Sequence, residues 1–342
     1  MLAERLRRQR LTEPLQNRDE YPTLFATLQP VSPIHFTEPG SPPSLVHRTA
    51  FDDGTLANQM RTERTIVKGR FLSGRIGYVL AKDLALYATA FQRPLGQMNE
   101  TQYLVFDRVK HMGPLTPRQI KAETGLLNKQ IMPALHRLQE AFLVYEDQVD
   151  SDWERDWYAF EEFWPDVDLE MSWTDAAAEV LLRFLSGHVF ATFEQMKDWS
   201  GFARKPLERL IASMEAEGKL TPHSVDTLGD GWSRTADDEL PTVEGRPSVF
   251  MLHKSDTLAR SHASELKRRF GSLETLQYLL IDGEFQGAAV GHWRIGPHDV
   301  EDIVVELPTA DRVRRKAEIV NAVSRWYYPP RSHVLRYDGQ PL

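Results

Sequence analysis

Apolar residues between Leu115 and Val144 recur with the period of an amphipathic helix, and two helices are predicted there. Pro117 near the start and Gly125 past the end frame a short first helix, because these residues favour helix starts and stops. A second helix is predicted from about Lys129 to Ala141. Its apolar face is formed by Ile131, Leu135, Leu138 and Phe142. This pattern is typical of a helix-turn-helix, in which the polar face of the second helix enters the major groove.

The same pattern returns 76 residues further along, in Ala191–Leu220. The aligned identities are Thr116 with Thr192, Gln119 with Gln195, Lys121 with Lys197, Gly125 with Gly201, and Lys129 with Lys205. The apolar face repeats as Leu207, Ile211 and Met214. Agreement of turn glycine and apolar register predicts tandem winged helix-turn-helix modules, with wings at residues 144–164 and 221–232. The alternative is two ordinary helical hairpins that serve only as core.

The flanking regions complete an α+β fold. Residues 1–20 are predicted as one helix, and an alternating, glycine-containing strand pair at 67–80 suggests a divergent third winged helix. Strand patterns between 247 and 308, with a hairpin turn at Asp282-Gly283, predict a β-rich C-terminal unit with helices near 255–270 and 310–326. A polar stretch, 236–246, precedes it. The predicted domains are three winged-helix modules at 1–95, 96–172 and 173–235, an α+β unit at 247–326 and a tail at 327–342.

Composition changes this picture little. The chain has 342 residues, 41% of them hydrophobic, which is enough for two or three domains. It has no cysteine, which excludes disulfides and thiolate metal sites. The first residues lack the apolar run of a signal peptide, and no stretch has the length of a membrane span, so a cytoplasmic protein is expected. No phosphate-binding glycine loop or metal motif occurs, and no cofactor is predicted.

The net charge of −8 hides an uneven distribution. Residues 144–170 contain eleven carboxylates against Arg155, a local charge of −10, so the rest of the chain carries +2. Since local potential decides phosphate attraction, DNA binding stays open. Part of the acidic stretch, 150–156, has carboxylates at alternate positions but lacks the glycine of a calcium loop. This acidic wing, residues 146–156, is interpreted as a segment that avoids phosphate or binds a basic protein partner.

Candidate DNA contacts lie in three places. Basic side chains beside glycines in the predicted strand pair are candidates for phosphate contacts, and the polar faces of the two second helices are candidates for groove contacts. The residues in and just before the strand pair are Arg64, Lys68, Arg70 and Arg75. Those of the first helix face are Lys129, Gln130, His136 and Arg137. Those of the second helix face are Arg204, Lys205 and Arg209.

Four segments in the same order resemble the AlkZ/YcaQ-like winged-helix DNA glycosylases, and together they span most of residues 20–308. They are LANQMRTERTIVKGRFLSGRIGYVLAKDLALY at 56–87, LTPRQIKAETG at 115–125, VFMLHKSDTLAR at 249–260 and LLIDGEFQGAAVGHWR at 279–294. The resemblance implies tandem winged helices closed by a β-rich unit. It also implies double-stranded DNA as partner and excision of alkylated or crosslinked bases.

The family uses a Gln-x-Gln or Gln-x-Asp pair near its N-terminus for this chemistry. The matching residues here are Leu28-Gln29-Pro30-Val31. Gln29 fits the first position, whereas Val31 can neither orient water nor accept a proton. This chain also differs from the family in a strand: where the family has Arg-Gly-Thr-Leu-His, this chain has Ser73-Gly74-Arg75-Ile76-Gly77. The candidate catalytic residues are Gln29 and a carboxylate from elsewhere, for which Asp256 at a predicted strand end is the choice.

The sequence therefore predicts a double-stranded DNA-binding winged-helix protein of a glycosylase-like family with weak or no base excision. One alternative is an active glycosylase that works through Gln29 and a substituted second residue. Another is a winged-helix scaffold that binds proteins through the acidic wing.

Overall fold

The computed structural model describes residues 1–34, 42–149, 154–226, 228–237 and 244–342. Helices and strands are mixed along these residues. The helices are α1 (Leu2–Arg8), α2 (Tyr21–Leu28), α3 (Asp53–Thr62), α4 (Leu84–Phe91), α5 (Glu100–Met112), α6 (Pro117–Thr124), α7 (Asn128–Glu140), α8 (Phe160–Phe163), α9 (Trp173–His188), α10 (Phe193–Ser200), α11 (Arg204–Ala216), α12 (Thr257–Ser261), α13 (Ala263–Phe270) and α14 (Thr309–Ser324). The strands are β1 (Ile66–Leu72), β2 (Arg75–Leu80), β3 (Val144–Glu146), β4 (Trp157–Ala159), β5 (Leu220–Val225), β6 (Gly229–Arg234), β7 (Val249–Leu252), β8 (Thr275–Ile281), β9 (Glu284–Val290), β10 (Asp302–Val305), β11 (Arg336–Tyr337) and β12 (Gln340–Pro341).

The described chain divides into two compact units. Unit 1 comprises residues 1–28, 33–53 and 183–342, and unit 2 comprises 29–32 and 54–182. These units group residues differently from the predicted domains, because residues 1–95 contribute to both. The predicted domain boundaries stay a prediction, and most of the polar stretch 236–246 lies outside the described residues. Among the described residues, no helix is both long and apolar enough to span a membrane.

The first predicted helix pair, α6 and α7, lies in unit 2 and has the element order of a winged helix. Helix α5 is followed by Leu115, which bridges Trp157 of β4, and then by α6, α7 and the hairpin of β3 and β4. The predicted apolar face of α7 is buried among side chains of α5 and α6. Phe142 lies past the end of α7 but is also buried.

The second helix pair, in unit 1, repeats this order. Ala191 bridges Trp232 of β6, and α10, α11 and the hairpin of β5 and β6 follow. Both first helices, α6 and α10, begin with the same capping box, in which a threonine hydroxyl and a glutamine amide satisfy each other's backbone N–H groups. Both end at a glycine with a positive φ of about 70°, a conformation that favours glycine. The two modules therefore fold alike because their end signals repeat.

The N-terminal region shows a related but reduced order. Val31 forms an antiparallel bridge with Tyr78 of β2, as Leu115 and Ala191 do with their own hairpins. Helix α3 and the hairpin of β1 and β2 then follow. The predicted strand pair at 67–80 is confirmed. Residues 35–41, which lie in the connection between Val31 and α3, are outside the described residues.

Within residues 244–342, six strands form one sheet in the order β12-β11-β10-β9-β8-β7. The pairs are antiparallel except for β10 with β11, which α14 connects. Alternate residues of the strands face opposite sides. Leu279 packs in one cluster with Ile319 of α14, and Leu280 packs in another with Leu266 of α13. The predicted turn at Asp282-Gly283 is confirmed, with both residues at positive φ.

One prediction about the start of the chain is wrong. Residues 1–20 do not form one helix: α1 ends at Arg8, Arg10 adopts a positive φ, and Pro14 follows. Leu6 and Leu11 pack on the C-terminal sheet rather than in a winged-helix core. The tail is also part of the fold, because β11 and β12 extend the sheet and Tyr337 is buried in its core.

Candidate functional site

Gln29 lies just after α2, two positions before Val31, which pairs with β2. Its Oε1 accepts a hydrogen bond from the backbone N–H of Leu80 at 2.9 Å, and its Nε2 donates to Oδ2 of Asp83 at 2.8 Å. Only 2% of Gln29 is exposed. Both ends of the side-chain amide are thus held inside unit 2, which fixes the orientation of the amide.

Val31 occupies the position where the family has its second polar residue. Here it pairs with Tyr78 of β2. Its backbone N–H and carbonyl exchange hydrogen bonds of 2.9 and 2.8 Å with Tyr78. The apolar side chain is buried. A valine fits this position because it satisfies a buried strand site while adding no polar atom.

Asp83, which contacts Gln29, was not singled out by sequence reasoning. It precedes α4 as the N-cap residue, but its carboxylate makes no capping hydrogen bond to that helix. The carboxylate bonds to Gln29 instead, although 54 positions separate the two residues. An aspartate before an apolar helix predicts a cap, and no local signal reveals this long-range partner.

Asp256 is engaged in a buried ion pair. Its two carboxylate oxygens accept hydrogen bonds of 2.7 and 3.0 Å from the guanidinium of Arg48. One oxygen also accepts the backbone N–H of Leu258 at 2.9 Å and so caps α12. Arg48 is 1% exposed and Asp256 5% exposed. This geometry gives Asp256 a structural role and gives no support to the predicted catalytic one.

The basic and acidic segments singled out in the sequence pair with each other inside unit 2. Lys68 lies 2.6 Å from Glu146 of the acidic wing, and both side chains are mostly buried. Arg64 lies 3.1 Å from Asp147 and stacks on the ring of Phe163. Burial lowers the pKa of Lys68, and Glu146 opposes that shift. Two carboxylates of the acidic wing are therefore paired with basic side chains of the segment that leads into and forms β1. Residues 150–153 of the wing lie outside the described residues.

The basic residues in and before the β1–β2 hairpin differ in how far their side chains are free to contact a phosphate. Arg70 donates to Oε1 of Gln139 at 2.9 Å and to the carbonyl of Gly74 at 2.6 Å, and burial lowers its pKa. Arg75 is exposed at the hairpin end. The geometry therefore supports a phosphate contact at Arg75, whereas Arg64, Lys68 and Arg70 already hold the hairpin to β3 and α7.

The polar face of α7 is exposed to solvent at the start of the helix, whereas near its end the polar side chains contact other parts of the protein. Lys129 and Gln130 are exposed. Arg137 donates hydrogen bonds of 2.6 and 3.0 Å to the carbonyls of Arg93 and Pro94. His136 is half-buried near Trp157, and its pKa is lowered by burial and by Arg70. Of the four predicted contacts on this helix, the two at its start are the exposed ones.

The polar face of α11 is exposed at all three predicted positions, Arg204, Lys205 and Arg209. Arg204 pairs with Glu194 at 3.1 Å and Glu208 at 2.9 Å, on the surface. Such exposed pairs contribute little stability and can exchange for a phosphate. The start of α11 is therefore the most available basic helix face among the predicted contacts.

Comparison with known proteins agrees with this architecture. The family described as DNA glycosylase AlkZ-like matches residues 28–326, and the chain belongs to this family. Among solved structures, the chain is similar to the DNA glycosylase AlkZ of Streptomyces sahachiroi. The TM-score is 0.69 at 15% identity, over 95% of each chain. A search among curated protein sequences gave no match. The structural likeness shows that the fold is shared along nearly the whole chain.

Proposed function

We propose that this protein binds double-stranded DNA through its winged-helix modules and that its base excision is weak or absent. Family membership supports a role on DNA as a glycosylase-like protein. The observation that carries the proposal is the exposed basic start of α11, which repeats at the start of α7. In winged helices this end of the second helix contacts the major groove and the adjacent phosphates.

The weak-excision part of the proposal rests on Gln29 and Val31. The amide of Gln29 is hydrogen-bonded at both ends within unit 2, and the side chain of Val31 supplies no polar atom near it. A missing general acid or base typically costs about 10²–10⁴ in rate. Fold and DNA binding therefore carry over from the family more directly than its chemistry.

Reversing charge on α11 tests DNA binding. The double variant Lys205→Glu, Arg209→Glu is expected to weaken binding to duplexes of any sequence and to reduce the salt slope of log Kd by about 2, because two phosphate contacts are lost. Fluorescence anisotropy at several salt concentrations measures both. The matched control is Lys267→Glu, Arg268→Glu on exposed positions of α13, which makes an equal change in net charge. Equal loss in both variants would show a net-charge effect and contradict the proposal.

Excision is tested by single-turnover kinetics on duplex DNA that carries an alkylated purine or an interstrand crosslink. The wild type is expected to excise slowly, and Val31→Gln to excise faster, because it restores a polar side chain two positions after Gln29. Val31→Leu is the size control and is expected to bring no gain. Rapid wild-type excision that is abolished in Gln29→Ala would disprove weak excision.

The scaffold alternative has less support. Glu146 and Asp147 of the acidic wing are occupied by Lys68 and Arg64. Binding of a basic protein partner to these two residues would require those ion pairs to break.

A further inference from the structure

The end of the chain carries a basic stretch that duplex binding through the winged helices does not use. Residues 311–336 contain seven basic side chains, and four of them lie on α14. Three of these four pair with carboxylates, and Lys316 lies over the ring of Tyr337. The remaining three follow α14 and are exposed, and among the described residues no carboxylate pairs with them: Arg325, Arg331 and Arg336. Residues 325–336, the C-terminal segment, contain no carboxylate of their own.

One tight turn in the C-terminal segment holds a tyrosine beside an arginine. The carbonyl of Tyr328 accepts hydrogen bonds of 3.1 Å from the backbone N–H groups of Arg331 and Ser332. Pro329 and Pro330 lie between them, and their rings restrict the backbone. Because such a turn brings its first and last Cα atoms within about 7 Å, the ring of Tyr328 and the guanidinium of Arg331 start from neighbouring points on the surface.

Buried residues on both sides fix this turn to the C-terminal sheet. Tyr327 is 1% exposed, and its hydroxyl accepts a 3.2 Å hydrogen bond from Nε2 of Gln277 on β8. Ser332 is also buried, and the backbone N–H of His333 donates to Asp299 at 2.8 Å. A turn that is ordered before a ligand arrives lowers the entropy cost of binding.

Tyr328 itself is left open to solvent. It is 51% exposed, and its ring contacts no other ring of the described residues. In the described part of unit 1, the other exposed aromatic side chains are Trp293 and Trp326, and both are close by. Trp326 is two positions earlier, and the ring of Trp293 contacts that of His298, which contacts the ring of Tyr327. The exposed aromatic surface of unit 1 is thus gathered around this turn.

A free ring face beside a guanidinium fits an unpaired nucleotide. In a duplex, neighbouring base pairs cover the faces of the bases, and only the base edges are presented in the grooves. In a single strand, a base can stack on an aromatic side chain while an arginine binds the phosphate. A duplex therefore has no use for the ring of Tyr328, whereas a single strand can use the ring and the arginine together.

We propose that the C-terminal segment is a binding site for single-stranded DNA, in which one base stacks on Tyr328 and Arg331 binds a phosphate of the same strand. The family match ends at residue 326, so the turn lies beyond it. The site adds to the duplex binding proposed above. Unit 1 then has one site for each form of DNA, α11 for the duplex and the C-terminal segment for the single strand.

Fluorescence anisotropy with oligodeoxythymidylate, which forms no duplex, tests the site. Tyr328→Ala is expected to weaken binding about 5- to 100-fold, the range for loss of one base–aromatic stack. Tyr328→Phe keeps the ring and should bind as the wild type does. Arg331→Gln should reduce the salt slope of log Kd by about 0.7, because one phosphate contact is lost. The controls are Tyr103→Ala on α5, 63% exposed, and Arg268→Gln on α13, and both should bind as the wild type does.

Duplex DNA in the same assay separates this site from the winged helices. Tyr328→Ala is expected to leave duplex affinity unchanged, and single-strand binding by Lys205→Glu, Arg209→Glu should still depend on Tyr328. Unchanged single-strand binding in Tyr328→Ala would overturn the proposal, and so would an equal loss on single strand and duplex. Tighter binding of oligouridylate than of oligodeoxythymidylate would assign the site to RNA and also overturn it.

Discussion

Arg48 and Asp256 show how a charged pair can be essential to a fold without acting in chemistry. Arg48 places both terminal nitrogens on the carboxylate, and one of them also donates to Oε1 of Gln9 at 3.0 Å. Both charges are removed from water, which costs several kcal/mol for each ion unless the other compensates it. The pair is therefore stable only when complete, and loss of either partner leaves an uncompensated buried charge.

Removing one partner should destabilise unit 1 more than removing both. Asp256→Ala is expected to lower the free energy of unfolding by about 3–5 kcal/mol, because Arg48 stays buried without its counter-charge. The double variant Arg48→Met, Asp256→Ala should recover part of that loss. Denaturant unfolding measures each. Glu208→Ala, which breaks an exposed ion pair on α11, is the control and should change stability by less than about 1 kcal/mol. A single variant as stable as the wild type would contradict the role given to Asp256.

At the scale of single elements, the sequence predicted what is encoded locally. Thr116 and Gln119 define the start of α6, and Gly125 defines its end, because capping and positive φ depend only on nearby residues. The same signals recur at α10. The turn at Asp282-Gly283 was predictable for the same reason.

What the sequence could not give is the partner of each element. The sequence names no partner for the leucines near the N-terminus, and only the fold shows that Leu6 and Leu11 pack on the C-terminal sheet. Local charge suggested that Lys68 was a phosphate contact, yet its counter-charge is Glu146, almost eighty positions later. Gln29 was recognised from a family motif, whereas Asp83 carries no motif and is found only through its contact.

At the scale of the whole molecule, unit 1 places two histidines near arginines, the buried His188 and the half-buried His262. Nδ1 of His188 bonds to the carbonyl of Phe184, and its ring stacks on the Phe184 ring. His262 bonds to the carbonyl of Leu258 and lies 2.8 Å from the amide of Gln195. Arg5 donates to the carbonyls of His188 and Phe190 nearby. Both imidazoles therefore lie near positive charge, in surroundings that disfavour their protonation.

Acid is therefore expected to destabilise unit 1. Burial, followed by Arg5, lowers the pKa of His188 well below its usual value and that of His262 to about 4. In the unfolded chain the two histidines bind protons below about pH 6.5, whereas in the folded chain they bind them only at lower pH. The free energy of unfolding is therefore full above about pH 6.5 and decreases as the pH falls below it. His262 alone should contribute a loss of about 2–3 kcal/mol by pH 4.5, and this figure already includes the opposing effect of Glu265 and Asp198. Thermal unfolding midpoints between pH 7.5 and 4.5 measure the effect. His262→Gln should flatten the acidic limb, and His292→Gln, at an exposed position, should not. A midpoint independent of pH across this range would show that neither histidine resists protonation in the folded protein.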